Sequence, residues 1–224
     1  MTANDAFDIQ VPPEHYAWAT YDTQARWASY WHQIDEIVAT SVETCLEIGV
    51  GSGVVAASLR QCGIAVTCVD IEPALGVDRI GDVRELPCDD GEFEAVSCCQ
   101  VLEHLPWSDV PRAVAELQRV AARYLLVSLP QSGRFIGIQA FLPTGKRVGW
   151  ADAVSFRRPL QQGEEHYWQV GSPGASRRAV RRMLSGDGPF VIAKEFVVLS
   201  NPYHRFYLLE RQGLVAPRTM RFTM

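Results

Sequence analysis

Between residues 45 and 130, short apolar runs alternate with stretches whose apolar positions fall three and four apart. The runs at 45–48, 65–70, 93–99 and 124–130 are too short for helices and lack polar alternation, which predicts strands buried on both faces. Helical spacing separates them. One helix is predicted from Val54 until Gly63 breaks it, and another between Pro106 and Arg123, with Val110, Val114, Leu117 and Val120 on one face. Upstream, Trp27, Tyr30, Trp31, Ile34, Ile37 and Val38 repeat at the same period and predict a helix before the first strand. Strand, helix and strand in this order read as an α/β chain with a parallel sheet and right-handed crossovers.

The periodicity fails from Gln131 to about Trp168, where Gly133, Gly137, Pro143, Gly145, Gly149, Pro159 and Gly163 punctuate the chain. A loop of that length is usually functional, and it follows the C-terminal end of a parallel strand, so 131–168 reads as a substrate lid. A basic helix is predicted to about Leu184. Two strands at 190–199 and 204–209 then follow, joined by Ser200-Asn201-Pro202-Tyr203, and the short polar turn predicts an antiparallel pair. The expected organisation is one domain over 1–224: an N-terminal segment and helix (1–40), a ligand-binding core (41–130), the lid (131–168) and a closing helix and hairpin (169–224).

Chemistry enters at Glu47-Ile48-Gly49-Val50-Gly51-Ser52-Gly53. A dinucleotide fingerprint would need a third glycine where Val54 stands, and it would place a pyrophosphate where Glu47 offers a carboxylate. The alternate glycines instead permit a tight turn against a ligand, and the acid suits an ammonium group. Asp70 ends the second strand about 20 residues on, where an acid meets ribose hydroxyls in doubly wound folds.

These features, with Gly81-Asp82-Val83 and the run Gln100-Val101-Leu102-Glu103-His104-Leu105-Pro106, resemble the class I S-adenosylmethionine-dependent methyltransferases, type 11 in particular. The resemblance implies a Rossmann-like, doubly wound, seven-stranded and mostly parallel sheet, with a reversed C-terminal strand between the fifth and sixth. It implies S-adenosylmethionine as cofactor, S-adenosylhomocysteine as product, and a small-molecule acceptor. Cofactor contacts then fall to Glu47, Gly49, Gly51, Gly53, Asp70 and Ile71, to Asp82 and Val83 at the adenine, and to Gln100, which could equally satisfy local backbone. In such enzymes the helix before the first strand often covers the cofactor, so Tyr30, Trp31 or Gln33 either line its methionine end or belong to the core.

An alcohol acceptor would need a base. His104, just past the fourth strand, and His166, at the end of the lid, are the candidates, each weighed against a packing or capping role. Glu103 and Tyr167 are weaker ones, and Tyr167 and Trp168 are candidate substrate contacts. Two other function classes stand beside methyl transfer: a non-catalytic cofactor-binding domain, and an NAD-type oxidoreductase, which Val54 disfavours.

The rest of the composition narrows partners. A formal charge of −5 argues against general affinity for nucleic-acid phosphates. The cluster Arg177-Arg178-Ala179-Val180-Arg181-Arg182 reads as a solvated helix face or an anion contact. No run of eighteen apolar residues occurs, and residues 1–13 are acidic and polar, so neither a membrane span nor a signal peptide is expected and the location is expected to be cytoplasmic. The six cysteines, at 45, 62, 68, 88, 98 and 99, include no C-x-x-C pair and read as reduced core residues. Asp89-Asp90-Gly91 reads as an acidic turn, and no metal site is expected.

Overall fold

Thr44–Ile48 forms β1 at the centre of the sheet, with every residue from Cys45 onward buried. The computed structural model describes residues 13–16, 21–144, 147–154, 166–186 and 188–213. Parallel neighbours flank β1: β2 (Ala65–Asp70) on one side, beyond which lies β3 (Arg79–Ile80), and β4 (Phe93–Cys99) on the other, followed by β5 (Ala121–Pro130). β9 (Asn201–Arg211) pairs antiparallel with β5 and carries β8 (Phe190–Val198) on its outer edge, which gives the order β3-β2-β1-β4-β5-β9-β8. The last strand in the chain is therefore the reversed one, between the fifth and sixth strands of this sheet. β9 begins at Asn201, so the joint expected over Ser200-Tyr203 shrinks to Leu199-Ser200, and Tyr203 and His204 are strand residues.

Helices cover both faces because β1 presents apolar side chains on both. Cys45 joins a core with Tyr30 and Ile37 of α1 (Gln24–Ala39) and with Val55, Ala56 and Leu59 of α2 (Val54–Gln61). Leu46 and Ile48 face the opposite core, where Val110, Ala113, Val114 and Leu117 of α3 (Val110–Val120) meet Val180 and Leu184 of α4 (Arg177–Ser185). This sandwich is the doubly wound architecture, and it reverses strand order between β1 and β4. A crevice opens there at the carboxyl ends of the strands, the general ligand position in such sheets. Cys45, Cys68 and Cys98 are buried and every cysteine is free, as expected, though Cys62 is exposed.

The segment read as irregular holds a second, two-stranded antiparallel sheet, β6 (Arg134–Phe141) with β7 (Arg147–Val154). Two of its glycines stand inside these strands. Leu199, at the β8–β9 turn, packs against both: a Cβ at Gly149 would collide with Leu199 Cδ2, while one at Gly137 would touch Leu199 Cδ1 at 3.4 Å. The hairpin is held by ion pairs. Asp152 takes Arg177 and Arg205, and the buried Arg205 also meets Glu195 at 2.7 Å. Arg181 meets Glu195 too, so two of the four clustered arginines serve internal pairs, while Arg178 and Arg182 stay exposed. At its base the excursion is closed by a parallel bridge of Gln131 with Val170, where Val170 N donates to Pro130 O at 2.9 Å. No helix among the described residues is long and apolar enough to cross a membrane.

Candidate active site

Four loops at the carboxyl ends of β1 to β4 build one cavity of about 280 Å³. Gly49 and Gly51 come from the first, both at positive φ. Asp70, Ile71 and Glu72 follow β2; Asp82, Val83 and Arg84 follow β3; Cys99 to Val101 and His104 to Pro106 follow β4. Tyr16, Tyr21 and Tyr167 close the remaining side.

Asp70 is fixed by the backbone around it. Its carboxylate accepts from Val50 N and from Glu72 N, both at 3.0 Å, and so ties the first two loops together. Burial raises its pKa, and these amides oppose the rise. Asp82 is likewise committed: Arg84 grips it at 2.6 Å and also holds Asp109 at 3.0 Å. Burial works to raise the Asp82 pKa, but the Arg84 side chain and amide outweigh it and hold the carboxyl below its usual range. Arg84 escaped the sequence reading although it stands two residues from Asp82.

Glu47 departs from expectation. Alternation along β1 turns it beneath the first turn of α2, away from the cavity wall, and one carboxyl oxygen is buried without a partner. Gly53 caps α2 without a side chain, and Glu47 takes the Ala56 amide in that first turn instead. Burial pushes its pKa up to about 8, against the pull of Arg60 and that amide. The neutral acid is thus the folded form at pH 7. A carboxyl whose folded pKa exceeds the unfolded one stabilises fully below the unfolded value and loses that contribution as pH rises through about 8. Glu47→Gln, which mimics the neutral acid, is therefore expected to raise apo-protein stability by about 1–3 kcal/mol at pH 8.5, with a gap that shrinks toward pH 5. Thermal melts across pH check this, and a gap independent of pH would contradict it.

A second cavity adjoins the first, and Tyr16, Tyr21, Gln100 and His104 line both. Its other walls are His15, Thr23, Ala25, Arg26, His166, Asn201, Tyr203 and His204. Among the described residues it has no carboxylate on its wall and one full cation, Arg26, whose guanidinium carbon sits 3.8 Å from the centre of the Tyr21 ring. The segment bearing these groups is fixed to the glycine loop: Asp22 accepts from Tyr30 OH at 2.8 Å and from Ser52 Oγ at 3.1 Å.

Beneath the junction lies a buried polar cluster. Gln100 has the left-handed φ of 58°. With its amide nitrogen toward Glu103 Oε1 (3.3 Å) and His204 Nε2 (3.2 Å), its oxygen accepts from Ser128 Oγ and Leu129 N. It is thus both a wall residue and a backbone tie. Glu103 is wholly buried, its other oxygen lacks a partner, and burial lifts its pKa to about 8. The end of the excursion folds over this turn, Tyr167 N donating to Glu103 O at 2.9 Å, which sets the His104 and His166 ring centres 4.8 Å apart. Burial first, and then neighbouring His104 and Arg26, bring His166 down to about 4; burial and Arg26 bring His204 to about 3. One donor atom from each of Glu103, His104 and His166 lies within 4.8 Å of the others. The expectation of no metal-type cluster, drawn from cysteine spacing and Asp89-Asp90, thus missed a grouping made by tertiary contact.

Several expected contacts fall elsewhere. Trp168 is 3% exposed, packs edge-on against Trp107 and donates from Nε1 to Leu105 O at 3.1 Å, which makes it a core residue and no substrate contact. Tyr30 and Gln33 are buried and Trp31 points to solvent, so none of the three lines a cavity. Gly53 caps α2 and stands off the wall. Described residues of β6 and β7 line neither cavity, and among the described residues of the excursion only His166 and Tyr167 reach them; residues 155–165 lie outside the described ones. Arg26, Tyr203 and His204 were missed because no local pattern marks them.

Comparison with known proteins agrees with this architecture. Residues 46–123 match a family model described as a methyltransferase domain. The ubiquinone biosynthesis O-methyltransferase of Xanthomonas axonopodis pv. citri (strain 306) is 28% identical over 138 residues, 54% of this chain and 54% of that one. The chain spans about half the length of that curated relative. Among solved structures, the magnesium protoporphyrin IX methyltransferase ChlM of Synechocystis PCC 6803 with bound SAM is similar at a TM-score of 0.57 and 18% identity, over 84% of this chain and 80% of that one. The PH0226 protein of Pyrococcus horikoshii OT3 matches at 0.58 and 14%, over 90% and 100%. These structural likenesses speak to fold. Residues 46–123 are thus similar to a methyltransferase domain, and the sheet as a whole shares the fold of the solved methyltransferase that holds SAM.

Proposed function

We propose that this chain transfers the methyl group of S-adenosylmethionine to an oxygen or nitrogen of a small-molecule acceptor seated in the second cavity. The observation that carries the reading is the pair of adjoining cavities with Tyr16, Tyr21, Gln100 and His104 as their common wall. Asp70, already held by two amides, accepts from the ribose hydroxyls, while Asp82 and the Val83 amide meet the adenine. Gly49 and Gly51 let the first loop close on the ligand, and Arg26 meets the methionine carboxylate. The bound cofactor supplies an activated methyl for in-line displacement, the acceptor lone pair forming the new bond as the sulfur leaves with the old one. The protein contributes mainly by holding the two reactants collinear, and the His104, His166 and Glu103 cluster receives the acceptor's proton. The name O-methyltransferase borne by the curated relative supports an oxygen acceptor.

Calorimetric titration with S-adenosylhomocysteine, with NADH as control, tests the cofactor half. One-to-one binding of the former alone is the expected result, and saturable NADH binding would overturn it. Labelled methyl donor offered with pooled acceptors tests transfer. Tight cofactor binding without transfer to any pool would favour a non-catalytic cofactor-binding domain.

A further inference from the structure

We propose that Glu103, His104 and His166 form a site for one zinc-type divalent cation at the junction of the two cavities. It deepens the reading of the second cavity as an acceptor pocket, and its test uses no methyl transfer. Two imidazoles and one carboxylate are the donor set of open zinc sites, in which three protein ligands leave a fourth position for water or substrate. Here the three donors converge from two remote stretches of chain and lie within 4.8 Å of one another. A tetrahedral zinc with bonds of about 2.0–2.1 Å needs ligand atoms about 3.4 Å apart. The side chains would thus close by roughly 1 Å, within the reach of small rotations about their torsions.

Independent of that spacing, Glu103 carries an oxygen that is buried and has no protein partner. Leaving a buried acceptor unpaired is costly, and a cation at the cluster would remove the cost. The surroundings resemble an outer shell of a metal site. Gln100 orients the other Glu103 oxygen, and the Tyr203 hydroxyl, 3.4 Å from His166 Nδ1 and taking Gln169 Nε2 at 3.1 Å, leaves Nε2 of His166 for the ion. His104 and His166 stand on the wall of the second cavity, so the open position faces the acceptor. An acceptor hydroxyl that takes it forms an oxygen–metal bond and releases its proton to solvent, which replaces the proton transfer to the cluster that operates without the ion.

The test is titration of chelator-treated full-length protein with Co²⁺, read by visible absorption and calorimetry, with zinc displacement and a parallel S-adenosylhomocysteine titration. One equivalent with visible d–d bands and no thiolate charge-transfer band is expected. His166→Ala, on the cavity wall, and Glu103→Gln should each weaken Co²⁺ binding by more than about 100-fold, since even outer-shell partners cost 10–100-fold. Absence of binding, a thiolate band that places the ion at cysteines, or undiminished binding in His166→Ala overturns the site. Should Glu103→Gln fail to fold, His166→Ala decides alone. Loss of Co²⁺ binding with intact S-adenosylhomocysteine binding leaves the methyltransferase reading standing, and the reverse leaves the metal site standing.

Discussion

Asp70→Ala is expected to weaken S-adenosylhomocysteine binding by roughly 10–150-fold, which corresponds to about 1.5–3 kcal/mol for hydrogen bonds to a charged group. The carboxylate has two jobs. It accepts the Val50 and Glu72 amides, and so orders the loops after β1 and β2; in the proposed function it also presents its remaining lone pairs to the ribose. Alanine removes both. An asparagine side chain would keep one acceptor oxygen, so Asp70→Asn should fall between wild type and alanine if loop order and ligand contact both count. Calorimetry at constant pH and salt reads the difference. Equal affinity for wild type and Asp70→Ala would remove this residue from the site.

Gly49→Ala is expected to cost about 2–5 kcal/mol of folding stability and to abolish detectable cofactor binding. The backbone share is about 1–2 kcal/mol, because Gly49 sits at φ 78° where an L side chain is strained. Packing contributes about 1–3 kcal/mol more, because the new Cβ would land on Val101 Cγ2 across the cavity floor. Adding Val101→Ala separates the two: the double variant should recover the packing share and keep the backbone share. Denaturant unfolding of both variants checks this, and a Gly49→Ala protein as stable as wild type would show that the loop can relocate.

The first cavity was legible because its residues lie in local patterns. Alternating glycines, an acid at a strand end and Asp82 beside a turn all lie within short windows whose geometry the backbone dictates. Glu47 shows the limit even there. Its position was read correctly, yet strand alternation carried the carboxyl under α2, where it serves a helix end. The second cavity is assembled from afar: Arg26 precedes the sheet, His166 ends the excursion and His204 lies in the last strand, and no spacing between them carries a signal. Trp168 and Tyr167 are neighbours with the same sequence credentials, and only packing sends one into the core and the other to the cavity. The β6–β7 hairpin was hidden by Gly137 and Gly149, which resemble loop breakers but are places where Leu199 comes close.

The bridge of Gln131 with Val170 has a further consequence. The described residues between them, β6 and β7 included, stand outside the seven-stranded sheet, and the chain leaves and rejoins it through a neck one strand pair wide, so the excursion resembles a cassette clipped into a socket. Long insertions closed at such a neck cost little extra chain entropy as they lengthen. The stretch can therefore be exchanged for another of different length with β1 to β4 left in place, provided that the replacement answers the buried Arg205 of β9 as Asp152 does and delivers His166 or its equivalent to the same turn. On the function proposed above, selectivity toward acceptors can diverge through such an exchange.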